Sequence, residues 1–394
     1  AIIVYVDISG GDGLYAHLES APGFDAVVLR FAPDLSRFDL PTFTFLTFIL
    51  VAWWSGAPGS GYAVQRLLST KTEHDSFLAF LWYNICHYLL RPWPWIIVAL
   101  ASLVVFPTLE SLRQAFPNVD PSIVRHDLAY PAMLTFLPPG LLGVVLASLI
   151  AAYMSTISTH LNWGSSYVVN DFYKRFVNPQ ASEKAQVRIG RLSTVLMMVA
   201  AAVLALALEN AVQAFQILLQ VGAGTGLIFI LRWFWWRINA WSEITAMVVS
   251  FLVACWFQFV HDRVGLPALE SWQTLVLGVA ITTAAWLLVT FLTRPTERRT
   301  LVDFYRLVRP GGPGWAAVVR DPAFGADATE SDPLAWDVPR GILCMVLGCI
   351  VVYASLFAIG SWIYANHAPA VILTVVAVVA AALLIKVWSR LQME

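Results

Sequence analysis

The sequence predicts an all-α polytopic membrane protein, and three observations carry that prediction. Of 394 residues, 59% are hydrophobic and 12% charged, about half the charged share of a soluble domain, and the mean hydropathy is +0.70. The apolar residues gather into runs near the roughly 20 that a helix needs to cross the hydrocarbon core. Lysine and arginine collect on alternate connections between those runs. The same figures exclude a disordered chain, a coiled coil and a secreted disulfide scaffold. A net charge of −1 gives no argument for nucleic acid. Cys86, Cys255, Cys344 and Cys349 lie in apolar stretches without metal-ligand spacing and read as small buried hydrophobes.

Taken in order, residues 1–8 read as the last turns of an incoming helix. Residues 41–54 form a short apolar run that stops at Gly and Pro. Residues 76–106 form a long one, interrupted by Arg91-Pro92-Trp93-Pro94. Residues 131–170 suffice for one span plus an extension. Residues 192–208 are charge-free, and 212–231 are apolar but carry three glutamines and three glycines. Runs at 240–260, 271–293, 341–364 and 368–385 complete nine spans and one stub. The chain opens on Ala in mid-pattern, so a fragment without its N-terminal helices is expected.

Arg66/Lys71, the basic residues between 174 and 191, Arg232/Arg237, the arginines between 294 and 340, and Lys386/Arg390 all fall on one side of this nine-span layout. Arg30, Arg37, Arg113, Arg125 and Arg263 fall on the other. The richer side is expected to be cytoplasmic, with the C-terminus on it. Trp233, Trp235, Trp236 and Trp241 flank the inner end of a helix, as an aromatic belt does. Residues 295–339 read as a long inner loop rich in Pro, Gly and charge.

Polar groups inside hydrocarbon are expensive, so their placement is informative. In 151–159, Ser155, Thr156, Ser158 and Thr159 put four hydroxyls in five positions. Residues 152, 155, 156 and 159 share a helix face. Hard cations take oxygen ligands. Ser155 and Thr156 side chains with the Ala152 carbonyl would suit a monovalent ion; close helix packing is the other use of small and hydroxyl residues. Trp53-Trp54-Ser55 lead into a Gly/Pro run through which a helix is not expected to continue, and interrupted helices build transporter sites. Asn84, His87 and Arg91 form one stripe at i, i+3, i+7, with Arg91 expected to tie up carbonyls freed by the proline kink. Gln216 and Gln220 lie at i, i+4. Nucleotide-binding glycine patterns, zinc or haem spacing and a nucleophile–base set are absent from the sequence, so no enzyme is expected.

With Tyr62-Ala63-Val64-Gln65-Arg66, the hydroxyl run leading to Asp171-Phe172-Tyr173-Lys174, and Gly222-Ala223-Gly224-Thr225-Gly226 before Leu231-Arg232-Trp233, the sequence resembles the sodium/solute symporter family. The resemblance implies the LeuT-like inverted-repeat fold, of which this would be a C-terminal fragment lacking most of the first repeat. It makes 1–8 the end of a truncated core helix, 9–40 an outer segment, and 41–237 the second repeat with core helices six to ten. It makes 238–293 peripheral helices, 294–339 a cytoplasmic loop and 340–394 two further peripheral helices. It implies a main Na⁺ site half formed by Ala152, Ser155 and Thr156, and a second Na⁺ at Ser155, Ser158 and Thr159. Substrate-site residues would fall at Trp53, Trp54, Ser55, His87 and either Gln216 or Gln220, with Asn84 on the His87 stripe.

The function expected is therefore sodium-coupled symport of a small polar solute across the plasma membrane by alternating access. The partners are that solute, the lipid bilayer and the chain's own missing helices. A proton-coupled transporter using His87, and a sensor module of symporter-like fold, are the alternatives.

Overall fold

The computed structural model describes residues 13–22, 24–30, 33–36, 39–51, 54–55, 61–121, 123–208, 211–320 and 338–388. The expected stub at 1–8 and Trp53 lie outside the described residues. Among the described residues the regular structure is entirely helical. Eight helices are long and apolar enough to cross a membrane. In chain order the main elements are α1 (Leu40–Val51), α2 (Gly61–Leu67), α3 (Glu73–Val105), α4 (Pro139–Val177), α5 (Glu183–Ala207) and α6 (Ala211–Leu231). They continue as α7 (Ala240–Val260), α8 (Ser271–Leu292), α9 (Arg298–Val308), α10 (Val338–Ile363) and α11 (His367–Trp388). Eight of the nine expected spans thus appear as long helices. The ninth is the 12-residue α1, which is too short to span alone.

Local chemistry sets the boundaries. Thr72 caps α3 by accepting from the Asp75 amide at 3.0 Å. Pro138 and Pro139 start α4, where a missing N–H is harmless, so residues 129–134 form a separate short helix. Asn239 and Ser242 cap α7 reciprocally. Within α3, Pro92 and Pro94 lack N–H donors, and the chain responds with a π turn at Ile85–Leu90. The Arg91 amide reaches back to the Cys86 carbonyl at 3.0 Å. A second wide-turned stretch, Tyr167–Val177, carries α4 past its apolar run.

The chain divides into two compact units. The first comprises residues 1–24 and 96–214. Its core sets Ala101 against Met133, and Leu112 against Val124 and Ala132. Its helices α4 and α5 meet along small residues. The Ser165 hydroxyl donates to the Gly190 carbonyl at 3.0 Å and lies 3.2 Å from the Ser193 hydroxyl. Without a large hydrophobic gain between helices in lipid, such close approach is what joins them.

The second unit comprises residues 25–95 and 215–394. Here α7 pairs with α8 and α10 with α11. Ile228, Ala246 and Trp286 form the core between α6, α7 and α8. Ser242 and Thr290 join by a buried hydroxyl–hydroxyl bond of 2.7 Å. Helix α1 packs on α8, with Phe43 stacked on Trp272 at 5.9 Å. The π turn of α3 packs against α10, and the ring of Phe77 lies 4.2 Å from that of Trp388 on α11. The stretch expected as loop, 295–339, contains helix α9. Leu301, Val302 and Tyr305 recur at helical spacing and are covered by Trp315 and Val318. Its many charges hide that short apolar stripe from a hydropathy reading.

Candidate functional site

The hydroxyl run sits on one uninterrupted helix, α4, in the first unit. Ala152, Ser155, Thr156 and Ser158 are exposed and Thr159 is half-buried. Thr156 donates to the Ala152 carbonyl at 2.9 Å and Thr159 to the Ser155 carbonyl at 2.7 Å. Ser158 lies 3.4 Å from the same Ser155 carbonyl. A hydroxyl that gives its hydrogen to the preceding turn keeps both lone pairs free. Each threonine oxygen therefore keeps acceptor capacity, while the Ala152 and Ser155 carbonyls are already occupied by these hydroxyls. Such an edge of neutral oxygens is what a hard monovalent cation takes as half of its shell. The adjoining His160 ring reaches the Thr156 carbonyl through Nδ1 at 2.8 Å. Because a carbonyl only accepts, Nδ1 carries the proton in that bond.

In the second unit the interrupted segment is fixed on α6. Helix α1 ends at Val51, α2 begins at Gly61, and Trp54 and Ser55 lie in a tight turn between them. The Trp54 indole donates to the Ala223 carbonyl at 3.0 Å. A Cβ on Gly222 would stand 2.6 Å from the Ser55 carbonyl oxygen, and one on Gly226 would collide with the Trp54 carbonyl. These two glycines, one turn apart, form a notch that receives backbone. Gly224 faces elsewhere: a Cβ there would lie 2.7 Å from Ser250 Cβ and 3.1 Å from the Thr282 hydroxyl. The Gly-Ala-Gly-Thr-Gly element thus serves two neighbours from alternate positions. The sequence shows the motif, and the signal for its role is the i, i+4 spacing of Gly222 and Gly226.

The remaining residues singled out in the sequence go to different neighbours. Asn84 donates to the Phe80 carbonyl of its own helix at 2.8 Å. His87 stacks on Tyr83 with ring centres 5.1 Å apart and meets Tyr88 edge-on at 4.7 Å. Arg91 departs from expectation. Instead of tying up carbonyls, its guanidinium lies over the Trp95 ring at 4.5 Å and approaches His87 Nδ1 at 2.8 Å. The π turn already satisfies part of the backbone, leaving the side chain free to stack. A guanidinium can only donate, so His87 Nδ1 is the acceptor. Gln216 lies 3.4 Å from the Ser271 hydroxyl, and Gln220 donates to Thr274 at 3.1 Å. Both glutamines therefore reach across to α8, a helix the sequence placed at the periphery. The Oε1 atom of Gln220 is buried without a hydrogen-bond partner among the described residues.

Among the described residues, no group of three or more His, Cys, Asp or Glu is placed to hold a metal ion. The four cysteines are unpaired.

Residues 2–250 match the sodium:solute symporter family. The chain is 29% identical over 211 residues to a sodium/glucose cotransporter of Vibrio parahaemolyticus, covering 50% of this chain and 38% of that one. It is 29% identical over 174 residues to a sodium/proline symporter of Haemophilus influenzae, covering 42% and 33%. It is 30% identical over 175 residues to a sodium/myo-inositol cotransporter 2 of Oryctolagus cuniculus, covering 38% and 26%. The matches span a quarter to two-fifths of these relatives' length. The family match runs through more than half of the chain and takes in both the hydroxyl run of α4 and the glycine notch of α6, and by that match this multi-pass membrane chain belongs to the sodium:solute symporter family.

Proposed function

We propose that the chain works in sodium-coupled symport of a small polar solute by alternating access. The observation that carries this reading is the outward edge of oxygens on α4 at Ala152, Ser155, Thr156, Ser158 and Thr159, within the region that matches the family. Neutral ligands bind a monovalent ion weakly enough to release it, which a coupling ion must allow. One charge moving down about 100 mV yields about 2.3 kcal/mol, added to the sodium gradient. Coupling follows when ion and solute favour the same conformation. Trp54, Ser55, Asn84 and His87 are the proposed solute-side residues, with Trp53 beside them in the sequence. Gln216 and Gln220 join them as polar groups of the core helix that carries the notch. The plasma membrane is the proposed location, with the basic connections and the C-terminus on the cytoplasmic side.

The relatives' names direct the solute screen to sugars, proline and inositol. The test is uptake of each labelled solute by the full-length protein in proteoliposomes, with Na⁺ replaced by choline at fixed pH. Uptake that needs Na⁺ supports the reading, and undiminished uptake in choline overturns it.

A further inference from the structure

The hairpin of α4 and α5, within the first unit, ends in a cluster of cations that transport does not use. Helix α4 runs for 39 residues, close to twice the roughly 20 that cross the hydrocarbon. Its last part, Tyr167–Val177, carries its first charge at Asp171 and so extends past the apolar core. Helix α5 begins at Glu183 behind the Ser182 cap and is charge-free from Leu192 to Ala207. A Cβ on Gly190 would stand 3.3 Å from the Ser165 hydroxyl and 3.6 Å from a Val169 methyl. The residues that follow Val169 and those that precede Gly190 therefore share one end of the hairpin.

Every residue of 167–191 is described. This stretch holds Lys174, Arg175, Lys184, Arg188 and Arg191, all exposed, against the carboxylates of Asp171 and Glu183. Three positive charges are left in excess. None of the five cations has an ion-pair partner among the described residues; Arg175 lies over the Phe176 ring at 5.6 Å. Lys184, Arg188 and Arg191 stand at i, i+4, i+7 and share one face of α5. On α4, Phe172 and Phe176 are also one turn apart, with ring centres separated by 6.1 Å. These rings are 60% and 70% exposed, beyond the point where α4 leaves hydrocarbon.

Depth and chemistry narrow what meets this surface. Arg191 is the last charge before the apolar run of α5. Lys184 lies about 10 Å further out along the axis, against a headgroup layer of about 5–8 Å. Arg188 and Arg191 thus stand at headgroup depth, with Lys184 at its outer edge. Basic residues in this number next to a span attract anionic lipid. The positive-inside bias requires only basic residues on one side; it requires neither a shared helix face nor bare aromatic rings beside it. A free anion would satisfy the cations and leave the rings in water, whereas a leaflet takes both.

We propose that the α4–α5 connection binds anionic phospholipid headgroups of the adjoining leaflet. Lys184, Arg188 and Arg191 meet the phosphates, Lys174 and Arg175 stand beside them, and Phe172 and Phe176 enter the lipid. The leaflet then holds the end of the helix that carries the oxygen edge. This binding is independent of the coupling ion.

The test uses full-length protein in a neutral detergent with choline chloride and no Na⁺. Its unfolding temperature is followed against the mole fraction of phosphatidylglycerol, with phosphatidylcholine and inorganic phosphate as separate arms. The expected result is a saturating rise with phosphatidylglycerol alone. Lys184→Gln with Arg188→Gln should raise the mole fraction for half the rise about thirtyfold, the loss expected when two basic residues leave an anionic lipid surface. Arg299→Gln with Arg309→Gln, which removes the same charge from the connection after α8, should leave it unchanged. Glu183→Gln, an exposed change that keeps every cation, should lower it. An equal rise with phosphatidylcholine, a rise reproduced by inorganic phosphate, an unshifted Lys184/Arg188 variant, an equal shift in the Arg299/Arg309 variant, or an unshifted Glu183→Gln would each overturn the proposal.

Discussion

Alanine at Gly222 should disturb the interrupted segment in proportion to a clash that the structure sets. The new methyl would stand 2.6 Å from the Ser55 carbonyl oxygen and 3.2 Å from Ser55 Cβ. Carbon and carbonyl oxygen settle no closer than about 3.3 Å, so the Trp54–Ser55 turn must retreat by at least about 0.7 Å. Its indole bond to Ala223, now 3.0 Å, would stretch or break with it. Overpacking of this kind destabilises by about 1–3 kcal/mol. Alanine also returns up to about 1 kcal/mol over glycine in a helix, which blurs the sign of a single measurement. Gly143→Ala removes the blur, because a Cβ there meets nothing within 4 Å. The helix-propensity gain is common to both variants and cancels in their difference. Gly222→Ala should therefore be less stable than Gly143→Ala by about 1–3 kcal/mol. Thermal unfolding of the two purified full-length variants, side by side with wild type, measures this. Equal midpoints would refute the notch, because a backbone-filled gap cannot accept a methyl without displacement.

Four further outcomes are expected. Ser155→Ala and Thr156→Ala should each raise the Na⁺ concentration for half-maximal uptake; unchanged dependence in both would remove the oxygen edge of α4 from the coupling mechanism. His87→Ala should change the solute concentration for half-maximal uptake more than the Na⁺ dependence, and an inert variant would reassign the ring to packing among Tyr83, Tyr88 and Arg91. A double-mutant cycle of Gln220→Ala and Thr274→Ala, read by thermal unfolding, should give a coupling of about 0.6 kcal/mol, the usual worth of such a bond between membrane helices; strictly additive effects would deny the bond. Thr290→Val removes the hydroxyl that donates to the buried Ser242 hydroxyl at 2.7 Å and should destabilise by about 0.5–1.5 kcal/mol, against no effect if the bonds of Ser242 with Asn239 suffice.

The spans were legible because hydrocarbon leaves a helix little compositional freedom: a run of about 20 apolar residues has one economical structure. The interruption after Val51 was legible for the same reason, since Gly56, Pro58 and Gly59 oppose helix. The π turn was not. Arg91-Pro92-Trp93-Pro94 announces a defect, but proline states only which donors are lost, and the remedy depends on which carbonyl the Arg91 amide can reach. Helix α9 escaped because its arginines dominate any average over the stretch, while three residues, Leu301, Val302 and Tyr305, suffice to dock it. The hydroxyl edge of α4 was readable from spacing alone, being a property of one helix. The partners of Gln216, Gln220 and Arg91 were not, because Ser271 and Thr274 lie more than 50 residues away and the choice of Trp95 is made by a rotamer.

The wide turn at Ile85–Leu90 uses one residue more than an ordinary turn. One residue is about 100° of rotation, so the two halves of α3 are out of phase. A helical wheel drawn straight through places Trp93 and Trp95 on bearings they do not occupy relative to Asn84 and His87. Any relative without Pro92 and Pro94 should reach the same orientation with one residue fewer between the halves, and an ungapped alignment across this point will pair side chains that look in different directions.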